Sequence, residues 1–553
     1  MKKSALMICL GLLTLAAAVP AFAWVGTAEL GTNDPGDERA PFNQTGIRTL
    51  DPDTLYTLHG LYYVEDGASL IIPAGTTIYG VPAATLIIKP GGYIDASGTW
   101  NDPIVFTSSF GPGNRFPGDW GGVVILGNAP VNKVDPVIEG GIIDGTYGGN
   151  DPDDNSGIFK YCRIEYPGYR FQLNNEINGL TLGGVGRGTE IHHVQVSYSF
   201  DDSYECFGGT VDLHHIVAIG GTDDEFDTDF GYTGRIQFAF AMKDPDYSDP
   251  TGSSNGFESD NDGSGSSDWP QTHPIYSNVT VIGPEYVDTY PGLGTTFSNA
   301  GVIRRNSRTS VFNSVIAGYP RGMSIRDASI TMAEQDTLGF YNNEVTGNYE
   351  YSTNNIHDTG RWAGVGPWFM ARANQDSVPR AHDVVGLGTS LSLTNPNPVP
   401  QAGSPLIGTA DFSHAYLADP YFQTVDYRGA FTPGVPMSRQ WTAYWTEFDP
   451  QNRDYSSEPS AVNDVPARAV ALDNYPNPFN PSTTISFSVP KAGAVTLEVF
   501  DIRGRKVAEV FKGELEAKDH TVNFNGEGLS SGTYFYRVTG DGFSATEKMQ
   551  LVK

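Results

Sequence analysis

From about residue 55 onward, short apolar runs of roughly four to eight residues alternate with clusters of Gly, Pro, Asn and Asp. "LIIP" (70–73), "GVVIL" (122–126) and "HHVQVSYS" (192–199) are typical. Runs of this length with turn residues on both sides predict short β-strands. A sustained 3.6-residue apolar period is missing, which excludes a helical solenoid.

The runs repeat. "TEIHHVQVSYSFDDSYECFGGT" (189–210) aligns without a gap on "VDLHHIVAIGGTDDEFDTDFGY" (211–232), a spacing of 22. His192 falls on His214, His193 on His215, Asp201 on Asp223, Asp202 on Asp224 and Glu205 on Asp227. "LIIPAGTTI" (70–78) echoes "LIIKPGGYI" (86–94) at an offset of 16, and "SNVTVIG" (277–283) echoes "FNSVIAG" (312–318), with Asn278 on Asn313. A variable period of 20-odd residues with Gly or Asn at corners predicts a parallel β-helix, whose coils bury their apolar faces only by stacking. A β-propeller would repeat nearer 40–50 residues. The insert at 244–274 is expected to leave the coil as a surface loop.

The repeats fade after about 400. "FSHAYLADPYF" and "RQWTAYWTEF" read as short helices or an aromatic cap over the open end of the solenoid. The polar, Pro/Ser-rich stretch 449–469 reads as a linker. From 470 the pattern becomes regular alternation, as in "AVTLEVFD" and "GTYFYRVTG", which predicts a small antiparallel sandwich. The fold class is therefore all-β: a right-handed parallel β-helix, then a small antiparallel Ig-like β-sandwich. The expected boundaries are a signal peptide at 1–23, an N-terminal segment or cap at 24–50, the β-helix at 51–448, the linker, and the C-terminal domain at 470–553.

Lys2 and Lys3, the apolar run after them and "AFA" at 21–23 have the form of a secretory signal peptide. No other run is long and apolar enough to span a bilayer. The chain has 553 residues and a formal net charge of −30, which excludes nucleic-acid binding through phosphates and disfavours an anionic membrane surface. Cations, neutral glycans and other proteins are the expected partners. Of three cysteines, Cys9 lies in the signal peptide. Burial is a natural fate for Cys162, Cys206 falls in an acidic loop, and the sequence leaves open whether the two are bonded.

"NYPNPFNPSTTISFSVP" (474–490), "VTLEVFDIRGRKV" (495–507), "GLSSGTYFYRV" (528–538) and "EKMQLVK" (547–553) together resemble the C-terminal sorting domain of the type IX secretion system. They are also similar to the Ig-like domain of the flagellar hook-capping protein. "PGDWGGVVILGNAPVN" (117–132) and "NEINGLTLGGVGRGTEIHHVQVSYSFDDSYECFGGTV" (175–211) resemble secreted bacterial β-helix proteins that carry this domain. The resemblance implies export by the type IX machinery to the cell surface or medium, and it implies no particular reaction.

The candidate site is acidic. In stacked coils Asp201, Asp202 and Glu205 stand one strand spacing, about 4.8 Å, from Asp223, Asp224 and Asp227. Two carboxylates that close repel by roughly 3 kcal/mol at an effective dielectric of 20. Bound calcium, protonation or loops splayed into water would relieve this. "DPDDNSG" (151–157) and "SDNDGSG" (259–265) are weaker calcium candidates or plain Asx turns. Neighbouring residues of a strand face opposite ways, so at most one His of each pair looks inward, and stacked pairs are a simpler reading than zinc. The expected role is structural, adhesive or glycan-binding. The alternative is a polysaccharide lyase or glycoside hydrolase; Asp201-Asp202 and "RIQ" (235–237) echo one such hydrolase family without its Gly-His-Gly element or its lysine.

Overall fold

The computed structural model describes residues 26–34, 36–172, 175–249, 252–284, 296–346, 362–377, 385–388 and 391–456. It also describes 472–553, apart from 476, 490–491, 502–504, 516–518 and 541–542. The signal peptide, Cys9 and most of the expected linker lie outside these residues. The chain divides into two compact units, residues 1–461 and 462–553.

The first unit is a parallel β-helix. Among the described residues one sheet gathers 18 strands and a second gathers 10, and both are parallel throughout. The narrower sheet shows why these residues stack. Tyr62, Leu86, Val123, Leu180, Tyr204, Phe226 and Phe257 sit directly over one another in successive coils. All seven are buried in one continuous core. Each contributes roughly 2 kcal/mol of apolar burial that a lone coil could not supply.

The 22-residue register is observed: His192 pairs with His214, Tyr204 with Phe226 and Glu205 with Asp227. Asn278 stands beneath Asn313, since Ser277 pairs with Phe312 and Thr280 with Val315. The 16-residue echo is not a coil. Leu70 pairs with Ile94 and Tyr62 with Leu86, so the local period is 24 and the two "LII" runs belong to different sheets. The insert at 244–274 does not leave the helix entirely either. Phe257–Ser259 returns as a strand of the narrow sheet, on top of Phe226–Asp229.

One corner runs the length of the helix in a left-handed conformation. Tyr161, His193, His215, Phe238, Asn278, Asn313, Asn342 and Ala373 occupy it in successive coils, with φ between +48° and +59°. Asn tolerates this region because its short side chain bonds locally. Here Asn278 and Asn313 reach far along the chain instead, donating through Nδ2 to Tyr427 O and Asp411 O at 2.8 and 3.0 Å.

Those bonds reveal what the C-terminal aromatic segment does. It does not cap an open end. It lies along the long sheet as a strap: Gln423 bonds Gln237, Glu447 bonds Gln195, and the buried Tyr455 donates to Glu165 at 2.8 Å. The only regular structure in "FSHAYLADPYF" is a single 3-10 turn, Ala415–Leu417. Residues 449–456, read as the start of the linker, belong to this strap. Cys162 and Cys206 are both free and buried; Cys206 is in the core column between Leu182 and Thr228, not in a loop.

The second unit is an antiparallel sandwich of two sheets, three and four strands among the described residues. Val495, Leu497 and Val499 alternate inward from Gly493–Asp501 and meet Tyr536 and Val538.

Candidate functional site

The outward column of the narrow sheet changes character along the helix. After Asn43 come Tyr63, Ile87 and Val124, covered by Ile138, Ile142 and Tyr147 of an overlying loop. It then becomes Thr181, Glu205, Asp227 and Glu258 before reaching Val302. Parallel pairing fixes these side chains on one face, so the carboxylates cannot avoid one another.

The turn before this column contributes the remaining acids. Two triads result: Asp201, Asp202 and Asp223, then Asp202, Glu205 and Asp227. Within each, one oxygen per residue lies within 4.8 Å of the others, and Asp202 is common to both. Asp202 and Glu205 are buried at 7% exposure, while Asp201, Asp223 and Asp227 are half-buried. Asp224 joins neither triad. Its Oδ1 accepts from Asn255 N at 2.6 Å, and its own N–H donates to Asp202 Oδ1 at 2.8 Å.

The electrostatics are one-sided. Burial, followed by the charges of Asp201 and Asp227, pushes the Asp202 carboxyl far above the usual range. Burial and the Glu139 and Asp227 charges do the same to Glu205. Asp223 is raised to about 7 by burial and then by Asp249. One cation offsets part of the shift at Asp223 and Asp224: Lys243 is fully buried, 3.3 Å from Glu225, and donates to Gly221 O at 3.0 Å and to Asp223 O. Arg235, in the "RIQ" element, is held by Asp212 and Asp419, and Gln237 is tied to Gln423. At neutral pH the triads therefore require either protons or a cation.

The oxygen-rich set fits a hard cation such as calcium, which takes six to eight oxygens in flexible geometry. Two buried acceptors add to the set. Among the described residues, Thr181 Oγ1, one rung from Glu205, has no partner. Asn178 Oδ1 is likewise unpartnered, although its Nδ2 donates to Glu139 at 2.9 Å and to Glu205.

Sequence reasoning missed Glu139 and Glu258. "FDTD" (226–229) recurs as "FESD" (257–260), with Glu258 over Asp227, but the insert between them hides the period. Burial and the Asp224 charge raise Glu258 to about 8 even though Arg304 contacts it. Arg304 and Arg305 also bind Asp260, at 2.9 and 2.6 Å, and end the acidic stripe. Residues 151–157 and 259–265 form Asx turns, with Asp153 N on Asp151 Oδ1 at 3.0 Å and Ser264 N on Asp262 Oδ1 at 2.7 Å.

The histidines stack as expected, His192 on His214 at 4.7 Å between ring centres and His193 on His215 at 4.6 Å. The two members of a pair do not face opposite ways, however. Nδ1 of His192 lies 2.7 Å from Nδ1 of His193, because the left-handed corner at His193 resets the strand alternation.

A parallel β-helix with a carboxylate stripe, followed by a separate antiparallel sandwich, is the class of protein seen here. The chain belongs to the pectate-lyase-like beta helix domain family, whose model matches residues 43–365. Residues 473–552 match the secretion system C-terminal sorting domain, and the protein is secreted by the type IX route. No curated protein matches the chain.

Proposed function

We propose that the β-helix is a calcium-dependent glycan-binding or adhesive surface, centred on the two carboxylate triads. The observation that carries this reading is Asp202, buried and shared by both triads, with more negative charge around it than the protein neutralises. Calcium bound there by Asp201, Asp202, Glu205, Asp223 and Asp227 would keep open positions for hydroxyl or carboxylate oxygens of a glycan. With a net charge of −30, an acidic polymer reaches this face only across a bridging cation.

A second reading, glycoside hydrolysis, has one observation behind it. Glu258, raised to about 8 by burial and the Asp224 charge, stands one rung from Asp227. Paired carboxyls about 5 Å apart suit a retaining mechanism. Arg304 is ion-paired and permanently charged, which makes it a clamp and not a base.

The test is a glycan array with the full chain, with calcium and with chelator, followed by assay of the bound glycans for new ends. Calcium-dependent retention without cleavage is expected. New reducing or unsaturated ends would replace the binding reading with the enzymatic one, and calcium-independent retention would remove the triads from the function.

A further inference from the structure

The four histidines at the corner of the long sheet lie in a different sheet from the acidic column of the narrow one and play no part in the proposed function. We infer that they form a second metal site, of nitrogen-donor type, selective for a divalent ion of tetragonal preference such as Cu²⁺ or Ni²⁺.

Three observations support this. The first is orientation. His192 Nε2 lies 3.0 Å from Glu190 Oε1, whose carboxylate is itself held by Lys160 Nζ at 2.8 Å. An imidazole that donates its Nε2 proton to a carboxylate presents its Nδ1 lone pair, which is the arrangement that carboxylate partners impose on metal-binding histidines. His193 Nδ1 lies beside it, 2.7 Å from the His192 nitrogen.

The second is bite. The paired Nδ1 atoms are 2.7 Å apart in His192–His193 and 2.8 Å apart in His214–His215. With metal–nitrogen bonds of about 2.0 Å, these separations give N–M–N angles of about 85–90°. That is a cis angle of square-planar or octahedral coordination and falls short of the roughly 110° that tetrahedral zinc prefers. His192, His193 and His214 also fall within one ligand-sized cluster, with nitrogens within 4.8 Å of one another.

The third is the setting. His193 and His215 are walled by Trp441 and Trp445 of the strap, at ring distances of 5.2 to 6.4 Å. The His192 side chain stays 16% exposed and provides a way in.

Without metal, one proton bridges each Nδ1 pair. With metal at His192–His193, the His193 proton moves from Nδ1 to Nε2, both Nδ1 lone pairs bind the ion, and no net proton is released. Two dications one strand spacing apart would repel, so the expected stoichiometry is one ion per chain.

The experiment titrates the full chain with Cu²⁺ in excess Ca²⁺, which occupies oxygen sites with a harder ion. Electron paramagnetic resonance should show one tetragonal Cu²⁺ with nitrogen superhyperfine splitting. Quenching of tryptophan fluorescence should track its binding, because Trp441 and Trp445 adjoin the rings. The double variant His192→Gln/His214→Gln removes one nitrogen from each pair, and copper affinity should fall at least tenfold. Oxygen-only copper in the unmodified chain would overturn the assignment with no variant needed. Nitrogen-bound copper of unchanged affinity in a double variant that melts like the parent would overturn it as well.

Discussion

Asp202→Asn is the most direct perturbation of the acidic site. Asp202 Oδ1 accepts from Asp224 N, and an Asn oxygen can do the same: Asn255, two rungs along, accepts from Asn299 N at 3.0 Å in that way. The substitution therefore keeps the turn and removes one charge from both triads. Its magnitude can be worked in two ways. One carboxylate a strand spacing away repels by about 3 kcal/mol at an effective dielectric of 20. Alternatively, keeping an ordinary carboxylic acid protonated at pH 7 costs about 4 kcal/mol, at 1.36 kcal/mol per pH unit. The lower of the two, about 3 kcal/mol, is the expected calcium-free gain. For a β-helix of roughly 430 residues, an unfolding entropy of about 2.1 cal/mol/K per residue converts this into about 3 °C of melting temperature. The unmodified chain should gain a similar amount, about 2.7 kcal/mol, from calcium at a hundredfold excess over its dissociation constant. Calorimetric melts of both proteins, with chelator and with millimolar calcium, make the comparison. The variant should melt higher than the parent in chelator and respond little to calcium. An undiminished calcium response in Asp202→Asn would refute the shared-ligand geometry. A lower calcium-free melting temperature would refute the repulsion argument.

Two further outcomes follow from the charges and the corner ladder. Asp223 and Asp229 titrate near 7 and Glu258 near 8, all above their unfolded values, so the calcium-free fold binds extra protons and loses stability as pH rises from about 4 to 8. His214 and His215, lowered to about 4 and 3, oppose this by costing stability as pH falls below about 6.5. Melts across pH 4–9 should therefore peak at mildly acidic pH in chelator, with the peak moving to higher pH in calcium. An unmoved peak would remove the carboxylates from the account. Asn313→Ala leaves a non-Asn residue at φ +51° and deletes bonds to Asp411 N and O and to Asn342, so it should cost about 3 kcal/mol and speed proteolysis near 411. Parental protease resistance would show that the strap is held elsewhere.

The sequence carried the stacking because stacking is periodic. His192 on His214, Glu205 on Asp227 and Asn278 on Asn313 were legible from spacing alone, and each holds in the strand register. The third acidic rung was not, because a long insert between Asp229 and Phe257 breaks the period while the narrow sheet resumes beneath it. Facing histidines were misread for a different reason. Strand alternation assumes extended backbone, and the left-handed residue in mid-strand is invisible to a period-two pattern. The strap escaped because its bonds join residues such as Gln195 and Glu447, more than 250 positions apart, and no local pattern encodes them.

The composition of the turn ladder bears on why the acids are there at all. Asp202, Asp224 and Asn255 each use a side-chain oxygen to accept the backbone N–H of the next rung, at 2.8, 2.6 and 3.0 Å. Asn does this work at 255 without a charge, and the fold gains nothing structural from aspartate at 202 and 224. The same holds in the strand column. Val124 and Val302 occupy the outward position at either end of the stripe, so the sheet accepts neutral residues there. Like charges at Glu205, Asp227 and Glu258 are thus a cost that stacking multiplies, since Asp227 faces a carboxylate on either side. A structural cost confined to a few adjacent rungs, with neutral alternatives at the same positions elsewhere in the chain, is the signature expected of a site kept for a ligand. A ligand that offset it would be positively charged and would accept oxygen donors, which is why the prediction made for Asp202 is read out with calcium.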